Sequence, residues 1–449
     1  MNELEERIRE ALKDPRREPT TWEDPMPRIR RSARRQAARL LTVSALAAVA
    51  VAAVAIPVLA RAFAHSPAGP QTGHPAPPAT AYVGWEIGGV SPGERHPVPV
   101  MQLTGPEQTG VTPISLATGT AGKPIRAGSG PIVFTPDGKT AYVLNRGVAG
   151  STGTVTPIDT ITNTAGKPIK VGVYPDAIAV TPDGKTVYVA SIGADSNHPG
   201  TVTPISAATN TPGKPIAVGR NPVEIAVTPD GRTAYVVNDS SNLKIPSTVT
   251  PISTATNTPG KPITVGGPEP GPIAVTPDGR TAYVLNTGSR NNTGTVTPID
   301  TITNTAGKPI TVGSDPLYIA ITPDGRTAYV ASFGWSGATV TPIDTATNTA
   351  GEPIRLERTN PGPIAVTPDG RTAYALGGNW ATPIDTATNT AGKPIGVGVA
   401  TQAIVITPDG RTAYVLCGRS VTPINTATNT PGKPIQLAKG FGVSIAVAP

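Results

Sequence analysis

The alternation of apolar and polar positions divides the chain near residue 80. Before that point lies one long uncharged, mostly apolar run, Leu40 to Ala60. After it, apolar residues come in short runs of at most five, separated by turn-forming and polar residues. One unit, read from Ile273, is IAVTPDGRTAYVLNTGSRNNTGTVTPIDTITNTAGKPITVG. It holds four β-prone stretches bounded by turn residues: IAV (strand a), TAYV (b), TVTPI (c) and KPITV (d). In TPDG, Pro presets the first corner, Asp tolerates the second and Gly supplies the positive φ that closes a short hairpin. Proline in d suits an outer edge strand and discourages edge-to-edge pairing. Proline in c costs a ladder hydrogen bond unless a bulge sits there.

The unit recurs. The TPDG threonines are Thr135, Thr181, Thr228, Thr276, Thr322, Thr367 and Thr407, between 40 and 48 residues apart. Four antiparallel strands per repeat of this length predict the blades of a β-propeller, an all-β fold. There are eight b strands, centred on Tyr82, Tyr142, Tyr188, Tyr235, Tyr283, Tyr329, Tyr374 and Tyr414, yet only seven TPDG turns. The repeats begin on a b strand at Thr80 and end on an a strand, IAVAP, at Pro449. The absent turn is therefore the gap between the two ends. The C-terminal strand is expected to complete the N-terminal blade, giving eight blades. Seven, with the irregular first module outside the ring, is the alternative, because the first b–c link (84–110) is longer than its siblings.

The layout VTPDGRTAYVLN…GTVTPIDTATNTAGKPI resembles the YVTN-type β-propeller repeat over residues 80–449. The resemblance implies a bacterial surface or periplasmic propeller, with lactonase-like and haem- or quinone-dependent enzymes among its relatives. It speaks for the fold and says little about function.

The front of the chain changes the picture of where such a propeller works. Six arginines and no acid occupy Arg28 to Arg39, directly before the apolar run. About 20 apolar residues span a bilayer core. The positive-inside rule then places residues 1–39 in the cytoplasm, a transmembrane helix at 40–60, a Pro-rich linker at 61–80 and the propeller (81–449) outside the cell. A cleaved signal peptide ending at Ala62–Ala64 is the rival, and it exports the same domain. Net charge is +7 for 449 residues, and only +3 falls after residue 64. No basic face for nucleic acid is expected. Membrane attachment through one helix, a monomeric propeller and an extracellular protein or glycan ligand are.

Repetition also sorts the candidate chemistry. The b-strand tyrosines and turn aspartates occur in nearly every unit and are expected to pack between blades and to form turns. Cys417 is the only cysteine and the four histidines are scattered, so neither a disulfide nor a His/Cys zinc site is expected. No haem-attachment, Walker A or nucleophile-elbow motif is present, and no cofactor is expected. The a–b and c–d links are monotonous, whereas the b–c and d–a links vary, and both variable sets fall on one face of an up-and-down blade. That face is expected to gather Tyr174, Asp176, Arg220, Glu224, Glu269, Asp315, Tyr318, Trp335, Arg358 and Trp380. Variable loops on a rigid frame suit ligand binding. Two functions fit: a membrane-anchored recognition scaffold, or a lactonase-like hydrolase using a carboxylate cluster or metal in the channel.

Overall fold

A computed structural model describes residues 80–87, 108–147, 151–193, 198–240, 246–266, 269–287, 293–334, 337–356, 361–438 and 440–449. The expected cytoplasmic segment and apolar span, and all of the linker but Thr80, lie outside these residues. Among the described residues no helix is long and apolar enough to cross a membrane.

Eight antiparallel sheets form the blades. Blade 2 is typical. Its inner strand a is Ile132–Phe134, followed by b (Thr140–Asn145) and c (Thr152–Asp159). Its outer edge comes in two pieces, Thr164–Ala165 and Ile169–Val173. Innermost strands touch those of both neighbouring blades all the way round, so the ring closes. The closing blade, blade 1, takes strand a from the other end of the chain. Phe441–Val447 pairs antiparallel with Thr80–Ile87, Val83 opposite Ile445.

The split turn is reproduced in detail. In an intact turn Thr135 N donates to Thr140 O, at 2.9 Å; at the chain ends Ala448 N donates to Thr80 O, at 3.0 Å. Each TPDG glycine adopts a positive φ, 67° to 73°, and packs on the turn proline of the blade before it, as Gly184 does on Pro136. Gly138, in blade 2, packs instead on Pro449, which fills the proline position of the missing eighth turn.

The outer edge differs from the single KPITV strand read from the sequence. It breaks at Gly-Lys-Pro, and the break answers the question of the c-strand proline. In blade 2, Ile158 pairs with Ala165 and Val155 with Ile169. Thr156 and Pro157 thus face three residues, Gly166 to Pro168, across a bulge. Gly166 N donates to Pro157 O at 2.7 Å. The missing proline N–H points at the place where the ladder is already interrupted, so no acceptor is left waiting. A Cβ on Gly166 would lie 3.0 Å from the Pro157 ring, and the same Gly–Pro contact occurs in every blade.

Blades are held face to face by apolar layers and by one repeated polar staple. Seven b-strand tyrosines, wholly buried, donate from their hydroxyls to an asparagine in the c–d turn of the next blade. Tyr82 reaches Asn163, Tyr142 Asn210, Tyr188 Asn257, Tyr235 Asn304, Tyr283 Asn348, Tyr329 Asn389 and Tyr374 Asn429, at 2.5–2.8 Å. Each asparagine holds φ near 55°, which Asn tolerates better than most residues. At the seam between blades 8 and 1 the corresponding residue is Gly119, with φ 62°, which has no side chain to accept from Tyr414. Burial pushes all eight of these phenols above their ordinary pKa.

Candidate functional site

The two faces of the ring differ in how their polar groups are used. On the lower face, the a–b turns consume their own side chains. Thr276 Oγ1 donates to Asp278 Oδ1 at 2.6 Å and accepts from Thr281 N at 3.1 Å, while Asp278 also accepts from Arg280 N. The other six turns repeat this pattern, as Thr135–Asp137 and Thr407–Asp409 do. Partial burial would raise the Asp137 pKa, but the bonds from Thr135 and Lys139 and the nearby ammonium outweigh it and hold the carboxyl low. The c–d turns join on: Thr160 N donates to Lys139 O, and Asp159 caps its own turn by accepting from Ile161 N and Thr162 N. These aspartates are turn formers, as expected.

On the upper face the d–a corners carry strain. Tyr174, Asn221, Glu269 and Asp315 each have φ between 45° and 56°, and each precedes a proline. Left-handed backbone at a non-glycine residue costs roughly 1–3 kcal/mol. The carbonyl of each accepts a hydrogen bond from the residue leaving strand b of the same blade, as in Ile192 N to Tyr174 O at 3.0 Å and Phe333 N to Asp315 O at 3.1 Å. These bonds show that the b–c and d–a links share one face. Asn221 was not singled out from the sequence, although its Asn-Pro matches the Tyr-Pro, Glu-Pro and Asp-Pro of its siblings.

The expected site residues separate into groups. Tyr174, Glu269 and Asp315 stand half-buried at the strained corners, and Arg220 is exposed at the end of Ile216–Arg220. Trp380 opens strand c of blade 7 (Trp380–Asp385), half-buried with its ring against Gly396. Trp335 and Arg358 lie outside the described residues. Asp176, Glu224 and Tyr318 are buried in strands a, not displayed on loops. Tyr318 belongs to the apolar layer that runs through blades 6 to 8 and the closing blade.

Asp176 and Glu224 form the main charged feature of the inner ring. Arg146, which leaves strand b of blade 2, places Nη2 2.6 Å from Asp176 Oδ1. Glu224, in blade 4, is 4% exposed. Burial pushes its carboxyl up to about 8, a hydrogen bond from Ile225 N works against this, and the charge of Asp176 adds to it. Beside them Asn221 Nδ2 donates to Asp239 Oδ2 at 3.3 Å, both residues being buried. Arg146 and Asp239 were missed because each looks like an ordinary loop residue until the ring sets blades 2, 3 and 4 side by side. Such a carboxyl, neutral at neutral pH, can donate a proton or hydrogen bond. Among the described residues no group of three or more His, Cys, Asp or Glu side chains is gathered to hold a metal ion. Cys417 is buried, its thiol is pushed up to about 12 by burial despite a hydrogen bond from Thr422, and it is not poised as a nucleophile.

Comparison with known proteins agrees with the fold. No curated protein matches the sequence. Among solved structures, hydrazine synthase of Kuenenia stuttgartiensis is 22% identical, with a TM-score of 0.52 over 68% of this chain and 95% of that one. Dihydro-heme d1 dehydrogenase NirN, solved in complex with DHE, is 16% identical, with a TM-score of 0.61 over 85% of this chain and 77% of that one. At these identities the likeness is one of fold alone. The family described as "Lactonase, 7-bladed beta-propeller" matches residues 113–250 and 248–417, from strand c of blade 1 to strand b of blade 8. The matches span about two thirds of the sequence, and the chain belongs to this lactonase propeller family, with eight blades in its ring.

Proposed function

We propose that the protein is a rigid recognition scaffold whose upper face binds a ligand outside the cell, held at the membrane by residues 40–60. One observation carries this reading: sequence variation concentrates on the upper face, while the lower face is built from near-identical turns that satisfy their own polar groups. A surface free of structural duty can diversify for binding. The test is binding of the full-length protein to cell-envelope material. Alanine at Arg220 and Val399 together, on the upper face, should abolish binding, whereas Ile161→Ala with Ile302→Ala, on the lower face, should leave it intact. Binding that tracks the lower-face pair would overturn the reading.

The lactonase-like hydrolase is the second reading, favoured by the Asp176–Glu224 pair and its raised Glu224 carboxyl. A buried acid with a raised pKa beside an Arg-paired carboxyl suits general acid–base work on an ester. It predicts release of acid from simple lactones that is lost in Glu224→Gln. Hydrolysis unchanged by that substitution, or no hydrolysis at all, sets it aside.

A further inference from the structure

Seven of the eight seams between blades are pinned at their lower end by a tyrosine hydroxyl held on an asparagine of the next blade. The seam between blades 8 and 1 is not, because Gly119 stands at the asparagine position. A second tie is missing at the same turn. In six blades the c–d threonine donates to the glycine carbonyl of the a–b turn, as Thr160 Oγ1 does to Gly138 O and Thr301 Oγ1 to Gly279 O, at 2.5–2.6 Å. Blade 3 has Ala207 there but keeps its staple, Tyr142 to Asn210 at 2.8 Å. Blade 1 has Leu116, and its a–b turn is divided between the two chain ends. Its c–d turn is thus the one that lacks both ties.

The packing is slacker at this seam as well. Tyr414 is 5% exposed, whereas the seven stapled tyrosines are fully buried. A Cβ on Gly119 would meet nothing closer than Ile435 Cδ1, at 3.8 Å. Beyond Thr120–Ala121 the outer edge of blade 1 is a single bridge, Val111 with Ile125, while every other blade adds a further strand there. The other borders of blade 1 are firm. Toward blade 2, Tyr82 reaches Asn163, Ser444 Oγ donates to Gly130 O at 2.9 Å, and Pro449 packs on Gly138. At the upper end of the slack seam Gly442 N donates to Gly418 O at 2.7 Å, and the chain itself crosses from Ile435–Gln436 to Phe441–Val447.

We infer that the ring carries one built-in opening edge: the lower end of the seam between blades 8 and 1 parts in a local motion hinged at the upper face, while the other seven seams stay shut. The apolar layer of that seam includes Ile114, Tyr414 and Ile435. Apolar burial attracts without direction, and the directional bonds that fix the equivalent turn elsewhere are absent. A border with few fixed bonds opens at lower cost than the whole molecule unfolds. The chain enters the ring at this same edge, since Thr80 lies opposite Ser115 at the head of the slack turn. Opening therefore bares apolar side chains beside the point where the preceding residues are attached.

Thiol labelling of the full-length protein under native conditions tests this. Ile114, fully buried in the slack seam, and Ile299, fully buried in the stapled seam between blades 4 and 5, hold the same place in strand c, opposite Ala81 and Ala282. With each label located by peptide mass, the thiol of Ile114→Cys is expected to react at least about fivefold faster than that of Ile299→Cys, the ratio that one neutral hydrogen bond supplies. Adding Gly119→Asn should bring the first rate down to the second. Should either variant fold poorly, Ile435→Cys and Ile263→Cys read the same two seams from the facing blades. The native Cys417, buried in the seam between blades 7 and 8, reports unfolding of the whole ring. Equal rates at the two seams overturn the inference. So does a fast rate that Gly119→Asn leaves unchanged, or one that runs in step with labelling of Cys417.

Discussion

The lower and upper faces of this ring start from the same repeat and end with opposite properties. On the lower face, Thr276, Asp278 and Gly279 recur with their equivalents around the ring, and each polar atom has a partner within its own turn or the adjoining one. On the upper face, the corner residue of blades 3, 4, 5, 6 and 8 is Tyr174, Asn221, Glu269, Asp315 and Ala400 in turn, each with positive φ and with no common side-chain chemistry. The difference teaches what repetition means inside one chain. A position that repeats is held by backbone geometry and inter-blade packing. A position that varies while keeping its backbone conformation is supported by the scaffold and free for other uses.

The largest effect should come from opening the ring. Removal of Phe441–Pro449 strips strand a from blade 1, exposes Ile445 and its partners and unseats the Pro449–Gly138 contact. A loss on the order of 5 kcal/mol or more is expected from the apolar surface and ladder bonds together. Chemical denaturation checks it; a truncated chain as stable as the intact one would show that the ring closes without the C-terminal strand.

Glu224 gives the next effect, and it depends on pH. Its folded pKa of about 8 lies above the ordinary carboxyl value of 4.5, so below about 4.5 it is protonated in both states and contributes no pH dependence. Between about 4.5 and 8 the unfolded chain releases the proton and the folded chain keeps it. Stability therefore falls as pH rises, by about 1.4 kcal/mol per unit for a fully separated pair. Above about 8 the penalty is complete. Glu224→Gln should remove this slope, so that the variant gains on the native protein between pH 5 and 8. Parallel pH–stability curves for the two proteins would contradict the assignment.

A smaller effect sharpens the contrast between equivalent seams. Tyr283→Phe leaves Asn348 Oδ1 without its donor and should cost about 1 kcal/mol. Tyr414→Phe should cost close to nothing, because Gly119 stands where its partner would be. Gly119→Asn keeps a tolerated positive φ and should stabilise the closing seam by about 0.5 kcal/mol, a gain that disappears in Tyr414→Phe. Thermal melts of the single and double substitutions form the cycle.

Much of this frame was legible in the sequence, and the reasons are local. TPDG carries its own turn chemistry, and eight tyrosines against seven turns locate the seam between the chain ends. The break in strand d was not legible as such, because KPITV reads as one β-prone run. It becomes necessary only when its Gly-Lys-Pro is set against the Thr-Pro of strand c. The candidate site was legible by face and less so by residue. Asp176, Glu224 and Tyr318 look like loop residues, yet they extend strands a inward. Their burial depends on the neighbouring blade, which no single repeat contains. Arg146 was invisible for the same reason, since its partner belongs to the next unit.

The most direct test of the division between faces compares two substitutions by thermal unfolding of the full-length protein. Thr276→Val, on the lower face, removes the acceptor for Thr281 N and the donor to Asp278. Val399→Ser, on the upper face, alters an exposed corner. The account predicts a loss of about 2 kcal/mol for the first and less than about 0.5 kcal/mol for the second. Equal losses, or a greater loss from the upper face, would contradict it, because the variable face would then be carrying the fold.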